Sequence, residues 1–360
     1  MSSTKKKIQA IVHIGSPKTG TTTLQHALSD DRENLSQKGI LYPELDGAKN
    51  HNRISLLWRN NPPMREFRQP VQTGTSLGAN LSKESYYAEG EKTLSTIKQQ
   101  ISVGQHHTVI ISAEYLFFRP TMQQMDDLSN RLNSIFDKVS IIVYLRDPIS
   151  YYVAQALQTL KASEKAMAPS APQYLSILNA FAKNFNVRVR KFDRKSLYKN
   201  DIVHDFFQVA LPDHTPPDYE TKNRSLSPEA AKILNMHRRI YFPNEDNVFY
   251  PHGRKLANIL SRIELKVRET SKVTEKSSLK KYIQNHLWQE FSSQSDEIRS
   301  KYKIHFDKPV IEETIKNGEP PLDKKKGYTV DELFETNEEY LERLMASLSH
   351  LALGNPMKSL

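Results

Sequence analysis

Between Ile8 and Leu28 the chain reads IQAIVHIGSPKTGTTTLQHAL, and this stretch narrows the possible folds more than any other. Ile8, Ala10, Val12 and Ile14 lie in an apolar run that stops at Gly15, as a strand buried in a parallel sheet does. Gly15 to Gly20 reads as a loop. From Thr21 a helix begins, with Leu24, Ala27 and Leu28 on one face. A strand, loop and helix in this order point main-chain N–H groups inward at a helix N-terminus, where the peptide dipoles favour negative charge. That makes an anion cradle, and phosphate is its usual guest. Ser16, Pro17, Lys18, Thr19, Gly20, Thr21 and Thr22 are the candidate binding residues.

The rest of the first half supplies a sheet for this unit to sit in. Gly39 to Pro43 reads as a short strand that enters a long loop. The loop insertion near 46–83 is rich in Asn, Pro, Gly, Arg and Gln, holds His51, Trp58 and Pro62-Pro63, and is expected to act as a substrate lid, with a surface insertion of no catalytic consequence as the competing reading. Leu94, Ile97 and Ile101 mark a helix. His107 to Ala113 is a second core strand that delivers Glu114 at its end, where open α/β sheets place their ligands. Met125, Leu128 and Leu132 mark another helix. Val139 to Leu145 is the most apolar β-branched run and ends at Arg146; Pro148 then opens a helix. Asn186 to Phe192 alternates apolar with basic residues, as an edge strand does. Strands alternating with helices predict an α/β fold, a parallel sheet covered on both faces. From about Ser225 helical stripes dominate, Leu279–Ile283–Leu287–Phe291 and Leu333–Tyr340–Leu341–Leu344–Leu348 among them. The charged part between Glu264 and Lys281 is expected to be exposed. Residues 1–225 are therefore expected to form an α/β core, and 226–360 a mainly helical extension packed on it.

Bulk properties restrict the chemistry. The 360 residues suffice for one large domain or two smaller ones. A net charge of +10 suits an anionic partner, from a small polyanion to an acidic polymer. There is no aromatic-plus-basic signature of an RNA-binding module, so nucleic acid is not expected. The chain has no cysteine, which excludes disulfides and Cys-based zinc sites and fits a reducing, cytoplasmic setting. No apolar run approaches the length of a membrane span. His106 and His107 are adjacent rather than helically spaced, so no metal site follows.

The position of the lysine refines the anion. In the nucleoside-triphosphate loop G-x-x-x-x-G-K-[ST] the lysine follows the second glycine. Here Thr21 follows Gly20, and the lysine, Lys18, lies inside the loop. It would meet a ligand beside the group attached to a 5′-phosphate. The segment PKTGTT resembles the 5′-phosphosulfate loop of sulfotransferases that use 3′-phosphoadenosine 5′-phosphosulfate. VSIIVYLRDPISYYVAQALQTLK is similar to the family's 3′-phosphate segment. VRVRKFDRKSL and NRSLSPEAA are laid out as in its bacterial carbohydrate-type members. The resemblance covers about the first 225 residues. It implies a P-loop NTPase-like three-layer α/β sandwich of sulfotransferase type, the phosphosulfate donor as co-substrate, no metal, and a carbohydrate hydroxyl as acceptor. It also implies that Arg146 binds the 3′-phosphate and that Lys18 supports the leaving phosphate. The family's serine eight residues after that arginine is Ala154 here. Related enzymes take the acceptor proton with a Glu or a His, which makes Glu114 the first candidate base and His51 the second. Two other readings stay open: a P-loop-type kinase with an altered loop, and a non-catalytic module that binds a nucleotide or polyanion.

Overall fold

The computed structural model describes residues 7–58, 83–219, 226–243, 248, 250–270, 277–309 and 322–354. The described part of the expected lid therefore ends at Trp58 and resumes at Lys83. Pro62-Pro63 lie outside the described residues, as does the Asn223–Ser225 part of NRSLSPEAA. By contacts the chain divides into two compact units. One takes in the described residues of Met1–Arg146, Gln173–Lys222 and Asp296–His305; the other takes in those of Asp147–Pro172, Asn223–Ser295 and Phe306–Leu360. The helix after Arg146 thus groups with the C-terminal part of the chain, where the sequence had placed it in the core.

In chain order the first unit holds β1 (Gln9–His13), α1 (Thr21–Asp30), α2 (Arg32–Gln37), β2 (Ile40–Leu41), α3 (Lys83–Val103), β3 (Thr108–Ser112), α4 (Met122–Asn133) and β4 (Lys138–Leu145). After α5 (Pro148–Thr159), which belongs to the other unit, it continues with α6 (Tyr174–Ala182), β5 (Asn186–Lys191) and α7 (Ile202–Ala210). The five strands form one parallel sheet in the order β2-β3-β1-β4-β5. β1 is central, and its residues Ala10 to His13 are buried. β4 is internal, which suits its unbroken apolar run. Among the described residues β5 pairs with β4 alone and is the edge strand that its alternation predicts. Arg190 on that edge forks onto the buried carboxylate of Asp205 in α7, at 2.5 and 3.0 Å, and Tyr144 of β4 donates to the same group at 2.9 Å. The apolar faces of α1 and α7 close one core: Leu24, Ala27 and Leu28 meet Ile11, Ile142, Phe206 and Phe207.

Chain topology selects one end of this sheet. The chain leaves β1 toward β2, and leaves β4 in the opposite direction toward β5. Neighbouring strands whose connections diverge leave a crevice at their carboxyl ends, which is where open α/β sheets take ligands.

The second unit holds α5, α8 (Pro228–Tyr241), α9 (Pro251–Thr270), β6 (Ser278–Leu279), α10 (Lys281–Tyr302, through Ser295), α11 (Val330–Leu333), β7 (Phe334–Glu335) and α12 (Glu338–Ala352). It is mainly helical, with β6 and β7 forming a two-residue antiparallel ladder. Leu279 sits in that ladder rather than in the helical stripe that the sequence suggested. A second correction concerns Glu264. It is 4% exposed, on the inner face of α9 with Leu260, Ile263 and Val267, although the charged run around it predicts solvent. Its carboxylate accepts the Ser227 N–H at 2.9 Å, which offsets part of the cost of burying it. No described helix is long and apolar enough to cross a membrane.

Candidate functional site

The cradle forms where the sequence places it. β1 ends beneath Gly15, and α1 starts at Thr21. Two residues of the intervening loop adopt left-handed backbone, Lys18 at φ 67° and Gly20 at φ 73°. Gly20 has the conformational freedom for this; an L side chain there is strained, and its Cβ would lie 3.2 Å from Ile202 Cγ2. Lys18 lacks that freedom, so outside contacts must hold it. Arg146, at the end of β4, donates Nη1–H to the Lys18 carbonyl at 2.9 Å. Thr19 closes the turn on the other side, donating its hydroxyl to the Ser16 carbonyl at 2.6 Å. Two strand ends thus fix one loop.

The N-terminus of α1 has the features of an anion site. Its cap residue is Gly20, and no side chain caps the first turn. α4, α7, α8 and α12 are instead capped by Thr121, Asp201, Ser227 and Asn337. Ser16, fully buried, has no hydrogen-bond partner for its hydroxyl among the described residues. A buried hydroxyl without a partner is costly unless a ligand or water completes it.

Glu114 follows β3 in a short 3₁₀ turn and is half-buried. Its Oε2 accepts the Thr21 hydroxyl at 2.6 Å, which brings a carboxylate to the first residue of α1. The sequence named Thr21 for its main-chain N–H; its side chain as the partner of Glu114 was not foreseen. Nothing local announces it, since the two residues are 93 positions apart. Phe192 was missed as well. It lies just past β5, and the Arg146 guanidinium stands 5.8 Å from its ring centre, a cation–π contact that steadies the arginine. The Arg146 carbonyl also accepts the Tyr174 hydroxyl at 2.9 Å. An aromatic residue ending the strand beside YLRDP was the available signal.

His51 is not placed to take a proton, and its candidacy as base is corrected. It is 1% exposed, and main-chain groups use both ring nitrogens. Nε2 donates to the Pro43 carbonyl at 2.9 Å, and Nδ1 accepts the Ser112 N–H at 3.0 Å. Tyr42 packs edge-on against the ring. Burial pulls the imidazole down to about 4, so it is neutral and structural at neutral pH. His13 is similar: fully buried beneath the loop, bonded through Nδ1 to Ser112 Oγ at 2.9 Å, and pulled by burial to about 3.

Ala154, where the resembling family carries serine, is buried in α5. Ser150, one turn earlier, gives its hydroxyl to the Asp147 carbonyl at 3.1 Å. The Asp147 carboxylate caps α5 through the Ser150 N–H at 2.9 Å. No cluster of three or more His, Cys, Asp or Glu among the described residues could hold a metal ion.

No family model matches the chain. No curated protein matches it either. Among solved structures, a chain from the PezAT chromosomal toxin–antitoxin system of Streptococcus pneumoniae overlays on 65% of this chain and 86% of its own, at 14% identity. Its TM-score is 0.28, too low for the overlay to carry an argument about fold or activity.

Proposed function

We propose that this protein is a sulfotransferase. It would move a sulfuryl group from 3′-phosphoadenosine 5′-phosphosulfate to a carbohydrate hydroxyl, on a P-loop NTPase-like three-layer fold of sulfotransferase type. The observation that carries the proposal is the loop at the topological switch point. There Lys18 stands inside a turn braced by Arg146, and the turn opens onto a helix N-terminus that no side chain caps. The residues suit the donor: main-chain amides and the Ser16 hydroxyl for the 5′-phosphosulfate, and the Arg146 guanidinium for the 3′-phosphate.

In such a transfer the acceptor oxygen bonds to sulfur while the bond from sulfur to the bridging phosphate oxygen breaks. Lys18 and the N–H groups of Gly20, Thr21 and Thr22 would meet the charge that grows on that bridging oxygen. Glu114 would accept the hydroxyl proton. Thr21 holds that carboxylate in place meanwhile, through its 2.6 Å bond. Because Arg146 grips the Lys18 carbonyl, it would also couple donor binding to the shape of the loop. A chain without cysteine suits the cytoplasm, where we place this activity.

The proposal is tested by incubating the protein with donor labelled at sulfur, a panel of hydroxyl-bearing glycans, and a chelator. Label appearing on a glycan supports it. Label that stays on the donor with every acceptor, together with magnesium-dependent transfer from ATP, would favour the kinase reading instead.

A further inference from the structure

One end of the helical unit presents aliphatic side chains to solvent, and we propose that this end docks on an anionic lipid bilayer. The inference does not rest on the sulfotransferase reading. Three helices reach this end. α12 starts beside the start of α8, where the Asn337 N–H donates to Glu229 at 2.7 Å. α9 runs the other way. Arg238, near the end of α8, donates to the Val248 carbonyl at 3.0 Å, just before α9, and Phe242 stacks on Tyr250 with 3.9 Å between ring centres. At about 1.5 Å per residue, Tyr241 of α8 and Leu351 of α12 both stand about 20 Å from the shared start. The end of α8, the start of α9 and the end of α12 therefore lie together, over the part of the core that Leu256, Ala257, Leu348 and Leu351 edge.

Ile240, Tyr241 and Leu353 are 72%, 65% and 78% exposed at that end, and Met236, one turn before Ile240, is exposed as well. Single exposed apolar side chains are ordinary on a protein surface; several gathered at one end of a bundle mark a contact site. The charge there has one sign. From Met236 to Arg262 the sequence holds five Arg or Lys against two acids, Glu245 and Asp246, and no acid follows Glu342 in α12. Glu245 and Asp246 lie outside the described residues, whereas Arg239, Arg254 and Lys255 are described and exposed. The acids Glu229, Glu264, Glu338 and Glu339 lie toward the opposite end. Aliphatic side chains and a tyrosine ringed by cations suit the boundary between headgroups and acyl chains. The aliphatic groups enter it, tyrosine sits at headgroup level, and the cations meet lipid phosphates. The contact is peripheral, since no described helix is long and apolar enough to cross a membrane. A second copy of the chain seated on this end would bring two sets of cations together, which argues against a dimer. Single-stranded nucleic acid needs stacking surfaces, and Ile240 and Leu353 offer none to a base.

The test sediments the full-length protein with vesicles of mixed phosphatidylglycerol and phosphatidylcholine, and with vesicles of phosphatidylcholine alone. The protein should partition onto the anionic vesicles, less so at high salt, and not onto the neutral ones. Ile240→Ser combined with Leu353→Ser should weaken the partition on the order of a hundredfold, about tenfold per side chain. Arg239→Gln or Lys255→Gln alone should weaken it about fivefold. Val103→Ser, at an equally exposed side chain of the sheet unit, should leave it unchanged. Melting temperature should stay the same in every variant, and Ile240→Ser alone carries the test if the double variant does not fold. Absence of partition onto anionic vesicles overturns the proposal, as does equal partition onto neutral ones or a double variant that binds like the unaltered protein. A dimer in sedimentation velocity that Ile240→Ser converts to monomer also overturns it, in favour of a second copy as the occupant.

Discussion

At the carboxyl end of the sheet, Glu114 is half-buried and accepts the Thr21 hydroxyl at 2.6 Å; in the helical unit, Glu229 is fully buried and accepts the Asn337 N–H at 2.7 Å and the Ser277 hydroxyl. Both carboxylates look alike on paper, and their surroundings divide them. Glu229 ties α8 to the segments before β6 and α12, and its neighbour Glu264 ties the start of α8 to α9. Burial pushes the Glu264 carboxyl up, and the Glu229 charge adds to that push. These acids hold chain segments together. Glu114 instead stands beside a loop with a left-handed turn, an open helix end and, among the described residues, a buried Ser16 hydroxyl that has no hydrogen-bond partner. Both acids fasten chain to chain, so what separates them is what stands beside each: packed helices in one region, the loop before α1 in the other.

The contrast can be broken by substitution. Lys18→Ala should lower single-turnover sulfuryl transfer by about two to three powers of ten, with donor affinity falling less than tenfold and melting unchanged. Glu114→Gln should cost about two powers of ten and remove the acid limb of the pH–rate profile. If that limb survives, Glu114 is not the base. Acid should also strike the fold. His13 and His51 are held at about 3 and about 4 when folded, both below the unfolded value near 6.5. The unfolded chain therefore binds more protons below that pH, and stability falls as pH drops from about 6.5 toward 4. The loss by pH 5 should be on the order of 3 kcal/mol, read from denaturant titrations at each pH. Glu229→Ala should cost about 2 kcal/mol in the same titration, by stranding the Asn337 N–H and the Ser277 hydroxyl. Gly20→Ala should cost about 1–2 kcal/mol through its left-handed backbone, read as a lower denaturation midpoint.

The sheet was legible because its strands are short apolar runs bounded by Gly, Pro or charge, and β1 and β4 carry that signal strongly. The loop was legible as a spacing of glycines. Its working geometry was not, since a left-handed Lys18 depends on Arg146, 128 residues away. His51 misled because a histidine in a polar stretch reads as solvated, and its two main-chain bonds come from the ends of β2 and β3. The inward period of α9 was present as Leu260, Ile263 and Val267. Glu264, between them, disguised it, and the Ser227 N–H that makes its burial tolerable arrives from another helix.

The central claim is that the loop around Lys18, braced by Arg146, is built for a 3′-phosphorylated adenosine nucleotide. Calorimetric titration of adenosine 3′,5′-bisphosphate into the metal-free protein, beside adenosine 5′-phosphate, tests it most directly. The account predicts micromolar binding that weakens at least about tenfold when the 3′-phosphate is absent, and that loses this preference in Arg146→Ala. Equal affinity for the two nucleotides, or binding that appears only with magnesium, would contradict it.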